Sequence, residues 1–341
     1  MALVPLVDLQ PWRSGDRAAE DALARAIDDA CGRVGFLQIV GHGIPDSVVS
    51  AMLAETNRFF ALPLADKQRL RPAHIGINRG YAGFESESLA YSLGGAQQSL
   101  PDRFEAFNVG PDVVPDDAYH RQAPHDFFAP NLWPEGLDQF RPAVTRYFAE
   151  ASRVAFLLTE AFGLALGLGA GWFRPFVDRS TLTLRIVNYE RNAGEAPPAP
   201  GQLRMGAHTD YGMLTVLYAD DAPGLEIFTP EGDWQAVRPE PGALLVNLGD
   251  LTARWTNDRW RSTLHRVALP PAELGGPAKR RSAAFFLDAN YDAPIECLPT
   301  CLAPGASPRY PVVSAGEHLI AKLLGPRAGV PSQIDGPARE P

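Results

Sequence analysis

Between residues 181 and 287 the sequence consists of short runs of β-branched, aromatic and leucine residues, and no helical periodicity separates one run from the next. Turn residues divide the runs, including Pro-Gly pairs at 223–224 and 241–242. Six or more short strands in succession favour an antiparallel sandwich or barrel. The predicted strands are Thr181–Tyr189, Thr215–Tyr218, Leu225–Phe228, Ala243–Asn247, His265–Leu269 and Ser282–Leu287.

Helical patterns flank this strand-rich segment. Apolar residues recur at helical spacing in residues 16–33, 46–60, 137–168 and 315–324, with polar residues between them. A short apolar strand, Phe36–Val40, follows the first of these helices. The pattern therefore predicts a β core with helices packed around it.

Residues 70–135 differ from the rest, because Gly, Pro, Ser and Asn are frequent there and the periodicity weakens. A long irregular stretch inside a compact chain is usually mobile or functional, so we predict that it covers a pocket. We predict an N-terminal module with substrate-covering loops over residues 1–135 and a region of one helix plus the strands over residues 136–324, the two forming one compact unit. The Pro- and Gly-rich residues 325–341 are predicted to be a disordered tail.

Charge and composition narrow the class of partner. The 40 acidic residues outnumber the 31 basic ones, for a net charge of −9. This argues against nucleic acid or an anionic membrane as a partner, so we expect a small-molecule substrate and a monomer or weak homodimer. The chain opens without a signal-like segment and has no 18-residue apolar run, which predicts a cytoplasmic protein. Only three of the basic residues are lysine, a bias typical of a GC-rich, bacterial coding sequence.

A candidate metal site begins at His208-Thr209-Asp210. Residues two apart on a strand point to the same face, so His208 and Asp210 can reach one ion. His265 follows after 54 intervening residues and opens another predicted strand. Two imidazoles and one carboxylate leave half an octahedron vacant, as in non-haem iron oxygenases. Zinc can use the same atoms and would support hydrolysis, and the spacing alone also fits ordinary polar residues.

A candidate anion site lies 15 residues beyond His265, at Arg280 and Ser282. Side chains two apart share one face of a strand, and an apolar run follows them. A guanidinium in an apolar pocket requires an anion, and its planar fork matches a carboxylate. An arginine pair exposed at a strand start is equally consistent with this spacing.

Taken together, these motifs resemble those of the iron(II)/2-oxoglutarate-dependent dioxygenases of the isopenicillin N synthase-like superfamily, over nearly the whole length. The resemblance implies the α+β class, with a mainly β core that is a double-stranded β-helix, or jelly roll, flanked by helices. The motifs that carry it are Val4–Asp8, Ala30–Phe36, Gly41–Ile44, His208–Asp210, Asn247–Asp250, His265–Val267 and Arg280–Ser282.

By this resemblance, His208, Asp210 and His265 bind Fe(II). Arg280 and Ser282 bind the C5 carboxylate of 2-oxoglutarate. The implied enzyme is an oxidoreductase that converts 2-oxoglutarate and O2 to succinate and CO2, with ascorbate as an optional reductant. It hydroxylates, desaturates or cyclises a small molecule in bacterial specialised metabolism, such as antibiotic biosynthesis.

Tyr189 falls where relatives often place a tyrosine in the co-substrate pocket. Where some relatives have an asparagine near it, this chain has Val187, or Asn188 if the register shifts by one residue. The contact that such an asparagine makes is therefore not assigned.

Substrate contacts are expected from the irregular region and from residues next to the metal and strand motifs. Arg79 is the candidate for a substrate carboxylate. The other candidates are Tyr91, Phe107, Tyr211 and Phe286. The sequence does not identify the substrate.

Two alternative functions remain open at this point. One is an iron oxidase of the same superfamily that uses no 2-oxoglutarate, since such relatives also retain the Arg-x-Ser motif. The other is a non-catalytic binding protein on a jelly-roll scaffold. The remaining histidines are not expected to bind metal, with His42 in a packing segment and the others facing solvent: His74, His120, His125 and His318.

Overall fold

The computed structural model describes residues 3–15, 17–94, 100–190, 196–270 and 279–332. Among the helices of these residues, none combines the length and the apolar character that crossing a bilayer requires. The helices are α1 (Gln10–Arg13), α2 (Arg17–Arg33), α3 (Asp46–Phe60), α4 (Leu64–Gln68), α5 (Ala118–Arg121), α6 (Phe140–Ala165), α7 (Arg174–Val177), α8 (Asp250–Trp255) and α9 (Ala315–Ala328). The strands are β1 (Leu6–Asp8), β2 (Phe36–Val40), β3 (Gly80–Ala82), β4 (Glu105–Val109), β5 (Thr183–Asn188), β6 (Met205–His208), β7 (Leu214–Ala219), β8 (Leu225–Phe228), β9 (Trp234–Ala236), β10 (Leu244–Leu248), β11 (His265–Val267), β12 (Arg281–Leu287), β13 (Pro294–Ile295) and β14 (Val313–Ser314).

Two sheets form the β core. The larger sheet has the strand order β1-β2-β10-β7-β12-β5-β4-β3, and the smaller has the order β6-β11-β8-β9. Every neighbouring pair in them is antiparallel except β1 with β2. The sheets pack on each other, since Phe36 and Leu245 of the larger sheet share a buried cluster with Leu225 and Ile227 of the smaller one. This arrangement is the predicted jelly roll.

Helices cover the outer face of the larger sheet. Val144, Ala151 and Leu158 recur every seventh residue on α6 and are fully buried, which places them on one side of the helix. They join a core cluster that includes Phe285 of β12. Burying each of the larger side chains contributes about 1.5–3 kcal/mol, and this layer fixes the sheet that carries one wall of the site.

The predicted strands and long helices are confirmed, with their ends shifted by a few residues. Three further elements in the β region were not predicted. They are β6, β9 and the short helix α8, which lies between β10 and β11.

The prediction of an irregular segment at residues 70–135 is wrong in part. This segment contains β3 and β4, which extend the larger sheet beyond β5. All five residues of β4 are buried. Strands from both sides of residue 135 therefore belong to one sheet.

The predicted disordered tail is wrong for residues 325–332. Helix α9 continues to Ala328 because Arg327 ties it down, with Nη1 donating to the carbonyl of Ile75 at 2.9 Å and Nη2 donating to Asn78 Oδ1. Ser332 is also buried. The rest of the predicted tail, residues 333–341, lies outside the described residues.

Candidate metal centre and co-substrate pocket

The smaller sheet brings the predicted metal ligands together. His208 ends β6 and His265 begins β11, and the two residues are direct cross-strand partners. Asp210 follows β6, with Oδ1 3.9 Å from His208 Nε2 and 3.8 Å from His265 Nε2. One ligand atom from each residue lies within 4.8 Å of the others, close enough to surround a single ion.

Hydrogen bonds orient each of these side chains. The Nδ1 atoms of His208 and His265 lie 2.8 and 3.0 Å from the backbone carbonyls of Gly206 and Thr263. A carbonyl only accepts, so each Nδ1 carries the proton and each Nε2 presents its lone pair to the centre of the cluster.

The carboxylate of Asp210 is oriented in the same way. Asn247 Nδ2 donates to Asp210 Oδ2 at 2.5 Å, and Thr215 Oγ1 donates to the same oxygen. Oδ1 is thereby left for a metal ion. Asn247 lies in the motif Asn247–Asp250, whose role could not be assigned from the sequence. The role of Thr215 could not be found there either, because its contact with Asp210 forms only once the strands are in place.

Burial keeps the site in the form that binds metal. Desolvation, followed by the nearby His265, lowers the pKa of His208 to about 3. Its imidazole is therefore neutral at physiological pH, as a metal ligand must be.

Arg280 is buried, with 2% of its surface exposed, and its Nε and Nη1 have no hydrogen-bond partner among the described residues. The guanidinium carbon lies 4.7 Å from the centre of the Tyr189 ring. Ser282 is also buried, two residues further along. An exposed arginine pair at the strand start is thus excluded, and a buried guanidinium with unsatisfied donors fits the carboxylate of a bound anion.

The metal cluster and Arg280 line the same cavity, which contains about 1020 Å³ of empty space including its mouth. Tyr189, Ser282, Tyr211 and Phe286 also line it. Helix α9 closes one side of the cavity with four residues, which are Leu319, Leu323, Pro326 and Arg327.

A buried charge cluster lies on the wall of this cavity. Arg185 Nη2 is 2.8 Å from Glu87 Oε2, and Arg327 Nε is 3.7 Å from Glu87 Oε1. Burial alone would raise the pKa of Glu87, but the two arginines hold it below its usual value. Both guanidiniums are therefore matched to a carboxylate of the chain itself.

A second buried cluster supports the segment that carries Asp210. Asp250 Oδ2 lies 2.8 Å from Lys322 Nζ on α9 and accepts a hydrogen bond from Thr209 Oγ1 at 3.2 Å. Ser262 Oγ donates to Asp250 Oδ1 at 2.7 Å. These contacts join α8, α9 and the loop between His208 and Asp210.

Three of the predicted substrate residues are not among those that line the cavity: Arg79, Tyr91 and Phe107. The assignment of Arg79 is wrong because its Nε, Nη1 and Nη2 donate to the backbone carbonyls of Ala129, Asn78 and Phe127.

Phe107 and Tyr91 also belong to other parts of the molecule. Phe107 packs against Phe59 and Phe140 in the core, with ring centres 4.7 and 5.3 Å away. Tyr91 lies in the 3-10 helix Leu89–Leu93, of which Leu89 lines the cavity instead.

Two histidines predicted to face solvent do not. His318 is buried beside Asp250, and burial lowers its pKa to about 4. The side chain of His120 is 7% exposed and lies 2.8 Å from Asp117. His74 and His125 are exposed, as predicted.

Comparison with known proteins places these features in a family. Residues 4–136 match the model of the N-terminal region of "non-haem dioxygenase in morphine synthesis" proteins, and residues 181–289 match that of the 2OG-Fe(II) oxygenase superfamily. The chain is 34% identical over 325 residues to validamycin A dioxygenase of Streptomyces hygroscopicus subsp. limoneus, covering 94% of this chain and 86% of that one. It is 31% identical over 317 residues to the 2-oxoglutarate-Fe(II) type oxidoreductase hxnY of Emericella nidulans, covering 92% and 87%.

A solved structure with a similar fold is that of a full-length Neurospora crassa protein in complex with alpha-KG and thymine. It superimposes with a TM-score of 0.81 and 27% identity, covering 94% of this chain and 96% of that one. The chain therefore belongs to the 2-oxoglutarate- and Fe(II)-dependent oxygenase superfamily. It is a dioxygenase that uses Fe(II) as its metal and 2-oxoglutarate as its co-substrate, and its core is the jelly roll of that superfamily.

Proposed function

We propose that His208, Asp210 and His265 bind the Fe(II) ion and that Arg280 and Ser282 bind the C5 carboxylate of 2-oxoglutarate. The observation that carries this proposal is the buried Arg280, whose Nε and Nη1 have no partner among the described residues, in the same cavity as the metal cluster. Tyr189 packs against the Arg280 guanidinium and limits its movement.

The chain's own residues prepare the site before any substrate enters. Thr215 and Asn247 hold one oxygen of Asp210, so that the other faces the metal position. The enclosed, mainly apolar walls exclude water from the reacting substrate. When bound, iron and 2-oxoglutarate supply the activation of O2, with succinate and CO2 as by-products.

The proposed reaction is hydroxylation, desaturation or cyclisation of a small molecule that binds between the metal and α9. The proposal of bacterial specialised metabolism is supported by the Streptomyces relative named for validamycin A and by the arginine-rich composition. Tyr211 and Phe286 are the proposed substrate contacts that line the cavity. The expectation of a cytoplasmic monomer or weak dimer stays a prediction.

Mass spectrometry of metabolite mixtures tests this function. The protein is incubated with Fe(II), 2-oxoglutarate, ascorbate and O2, and succinate is quantified beside the mass of each candidate product. We expect a substrate-dependent product that has gained one oxygen atom or lost two hydrogen atoms, with about one succinate per product. Product formation without added 2-oxoglutarate would contradict the proposal.

A further inference from the structure

Asp288 is a buried carboxylate that lines the cavity and is not needed for the proposed iron or 2-oxoglutarate sites. It follows β12 directly and is 5% exposed. A Cβ atom added to Gly212 would lie 1.7 Å from Asp288 Oδ1, so the carboxylate occupies the space that a side chain at position 212 would fill. Asp288 therefore lies against the segment that follows Asp210.

No hydrogen bond or ion pair of the Asp288 carboxylate is found among the described residues, and its oxygens are not among the fully enclosed polar atoms without a partner, so they are open to the cavity. The arginines of the same cavity are directed elsewhere. Arg185 and Arg327 pair with Glu87, and Arg280 stacks on Tyr189. Among the described residues, the charged side chain that affects the pKa of Asp288 is that of Asp210, a proposed iron ligand, which raises it.

Asp102 is a buried carboxylate with a structural role, and its hydrogen bonds can be compared with the surroundings of Asp288. It is 2% exposed, and its two oxygens accept hydrogen bonds from the backbone N–H groups of Leu89 and Gly206, both at 2.8 Å. Burial raises the pKa of both Asp102 and Asp288 to about 7. Of these two residues, only Asp288, which has no hydrogen-bond partner among the described residues, lines the cavity.

A buried carboxylate without a partner destabilises the folded protein, because desolvation is not offset by hydrogen bonds. Binding sites often contain such a residue even though it lowers the stability of the protein, because the bound ligand supplies the missing hydrogen bonds. A ligand that pairs with the Asp288 carboxylate must donate hydrogen bonds to it. A cationic donor also compensates its negative charge.

We propose that Asp288 binds a cationic group of the substrate, an ammonium or guanidinium, and so selects small molecules that carry an amine or guanidine close to the oxidised position. This inference rests on the proposed function, since it assumes that the cavity between the metal and α9 receives the substrate. It names the chemical class of that substrate and a residue that determines specificity.

Thermal unfolding tests the first part of the inference, with Asp102 as the matched control. Asp288→Asn and Asp102→Asn are compared with the wild type at pH 8 under argon, with Fe(II) and 2-oxoglutarate bound. We expect Asp288→Asn to raise Tm by ~2 °C or more, because it removes a buried charge that no hydrogen bond from the described residues stabilises. Asp102→Asn should lower Tm, because the introduced amide faces a backbone donor. A Tm for Asp288→Asn at or below that of the wild type would overturn the inference.

Ligand preference tests the second part. Binding of cyclohexylamine, cyclohexanol and cyclohexanecarboxylate to the Fe(II)- and 2-oxoglutarate-loaded protein is measured by calorimetry under argon. We expect the wild type to bind the amine about tenfold more tightly than the alcohol, the effect of one charge-assisted hydrogen bond. Asp288→Asn should abolish this preference.

Absence of an amine preference in the wild type, including no binding of any of the three compounds, would overturn the inference, as would its persistence in Asp288→Asn. Failure of the proposed function would look different. In that case the wild-type protein itself would not bind 2-oxoglutarate in the presence of Fe(II), whichever ring compound was added.

Discussion

Individual residues orient the ligands of the metal centre, and the contacts that do so are mostly absent from sequence motifs. The motif residues could be chosen from the sequence: the spacing of His208 and Asp210 suits a strand, and His265 lies in a motif that resembles one of the dioxygenase family. Thr215, which orients Asp210, could not be chosen, because its hydroxyl reaches Asp210 only after the strands have paired. For Arg79 the sequence suggested a ligand contact that the structure does not support. Its loop position made it a candidate for binding a ligand, but its guanidinium donates to three backbone carbonyls of the protein.

The contact between Thr215 and Asp210 makes a testable prediction about iron affinity. Thr215→Val keeps the shape of the side chain but removes the donor to Asp210 Oδ2. We expect the Fe(II) affinity to fall about tenfold, in line with the effect of removing a hydrogen bond to a metal ligand. Competition with a chromophoric chelator under argon measures this affinity.

Thr159→Val is the matched control for this substitution. Thr159 is buried in α6, and its hydroxyl donates to the carbonyl of Phe156, away from the metal cluster. Its Fe(II) affinity should equal that of the wild type. Equal Fe(II) affinity in Thr215→Val and the wild type would show that Thr215 does not orient the metal ligand.

At the level of secondary structure, β4 and the C-terminal end of α9 were missed from the sequence, and distant polar partners stabilise both. Glu105 in β4 breaks the apolar pattern of a buried strand, yet it accepts hydrogen bonds from Lys67 Nζ at 2.7 Å, Tyr81 Oη at 2.6 Å and Asn188 Nδ2 at 2.8 Å. The Gly325-Pro326 pair suggested the end of a helix. Helix α9 nevertheless continues beyond this pair, because Arg327 donates hydrogen bonds to Ile75 and Asn78 in the loop before β3.

Helix α9 is held on the site by the buried pair of Lys322 and Asp250. Although burial acts in the opposite direction, Lys322 and the neighbouring donors lower the pKa of Asp250 to about 2. A lowered carboxylate pKa stabilises the fold above the unfolded-state value of about 4, and this stabilisation is lost as the pH falls toward 2.

Lys322→Met should therefore lower the free energy of unfolding by about 3 kcal/mol at pH 7, because it leaves Asp250 without its cation. The difference from the wild type should shrink between pH 4 and pH 2, where Asp250 becomes protonated. Urea unfolding at pH 7 and pH 3 measures both effects.

Arg33→Met, which removes an exposed pair with Asp29, serves as the control and should change stability by less than about 1 kcal/mol. A stability difference for Lys322→Met that is the same at both pH values would rule out Asp250 as the origin of the effect.

At the level of the whole molecule, the jelly roll assembles one cavity from parts that lie far apart in the sequence. The smaller sheet supplies the metal cluster, β12 and the residue before it supply the proposed anion site, and α9 supplies one wall. Strand periodicity predicted a sandwich or barrel and motif spacing predicted candidate metal and anion sites, while the jelly roll and the roles of these sites were implied by the resemblance to the dioxygenase family. The sequence did not predict the wall or the unpartnered Asp288, because burial and the lack of partners are properties of the packed chain.

Binding of Fe(II) and 2-oxoglutarate in one cavity, with Arg280 as the anchor of the latter, underlies the whole proposed function. An anaerobic titration of the Fe(II)-loaded protein with 2-oxoglutarate, followed by the visible absorption band of the ferrous chelate, tests it. Arg280→Ala is compared with Arg281→Ala. Arg281 also has a buried Nε and Nη1 without a partner among the described residues, but it does not line the cavity, and its Nη2 donates to Asn57 Oδ1 at 2.6 Å.

We predict that the band develops in the wild type and in Arg281→Ala at similar 2-oxoglutarate concentrations. Arg280→Ala should need about a hundredfold more 2-oxoglutarate, the usual effect of removing one partner of a buried charge pair, and should keep its Fe(II) affinity. Any of three results would refute the shared site: no band in the wild type, an Arg280→Ala titration like that of the wild type, or loss of Fe(II) and 2-oxoglutarate affinity to the same degree in Arg280→Ala.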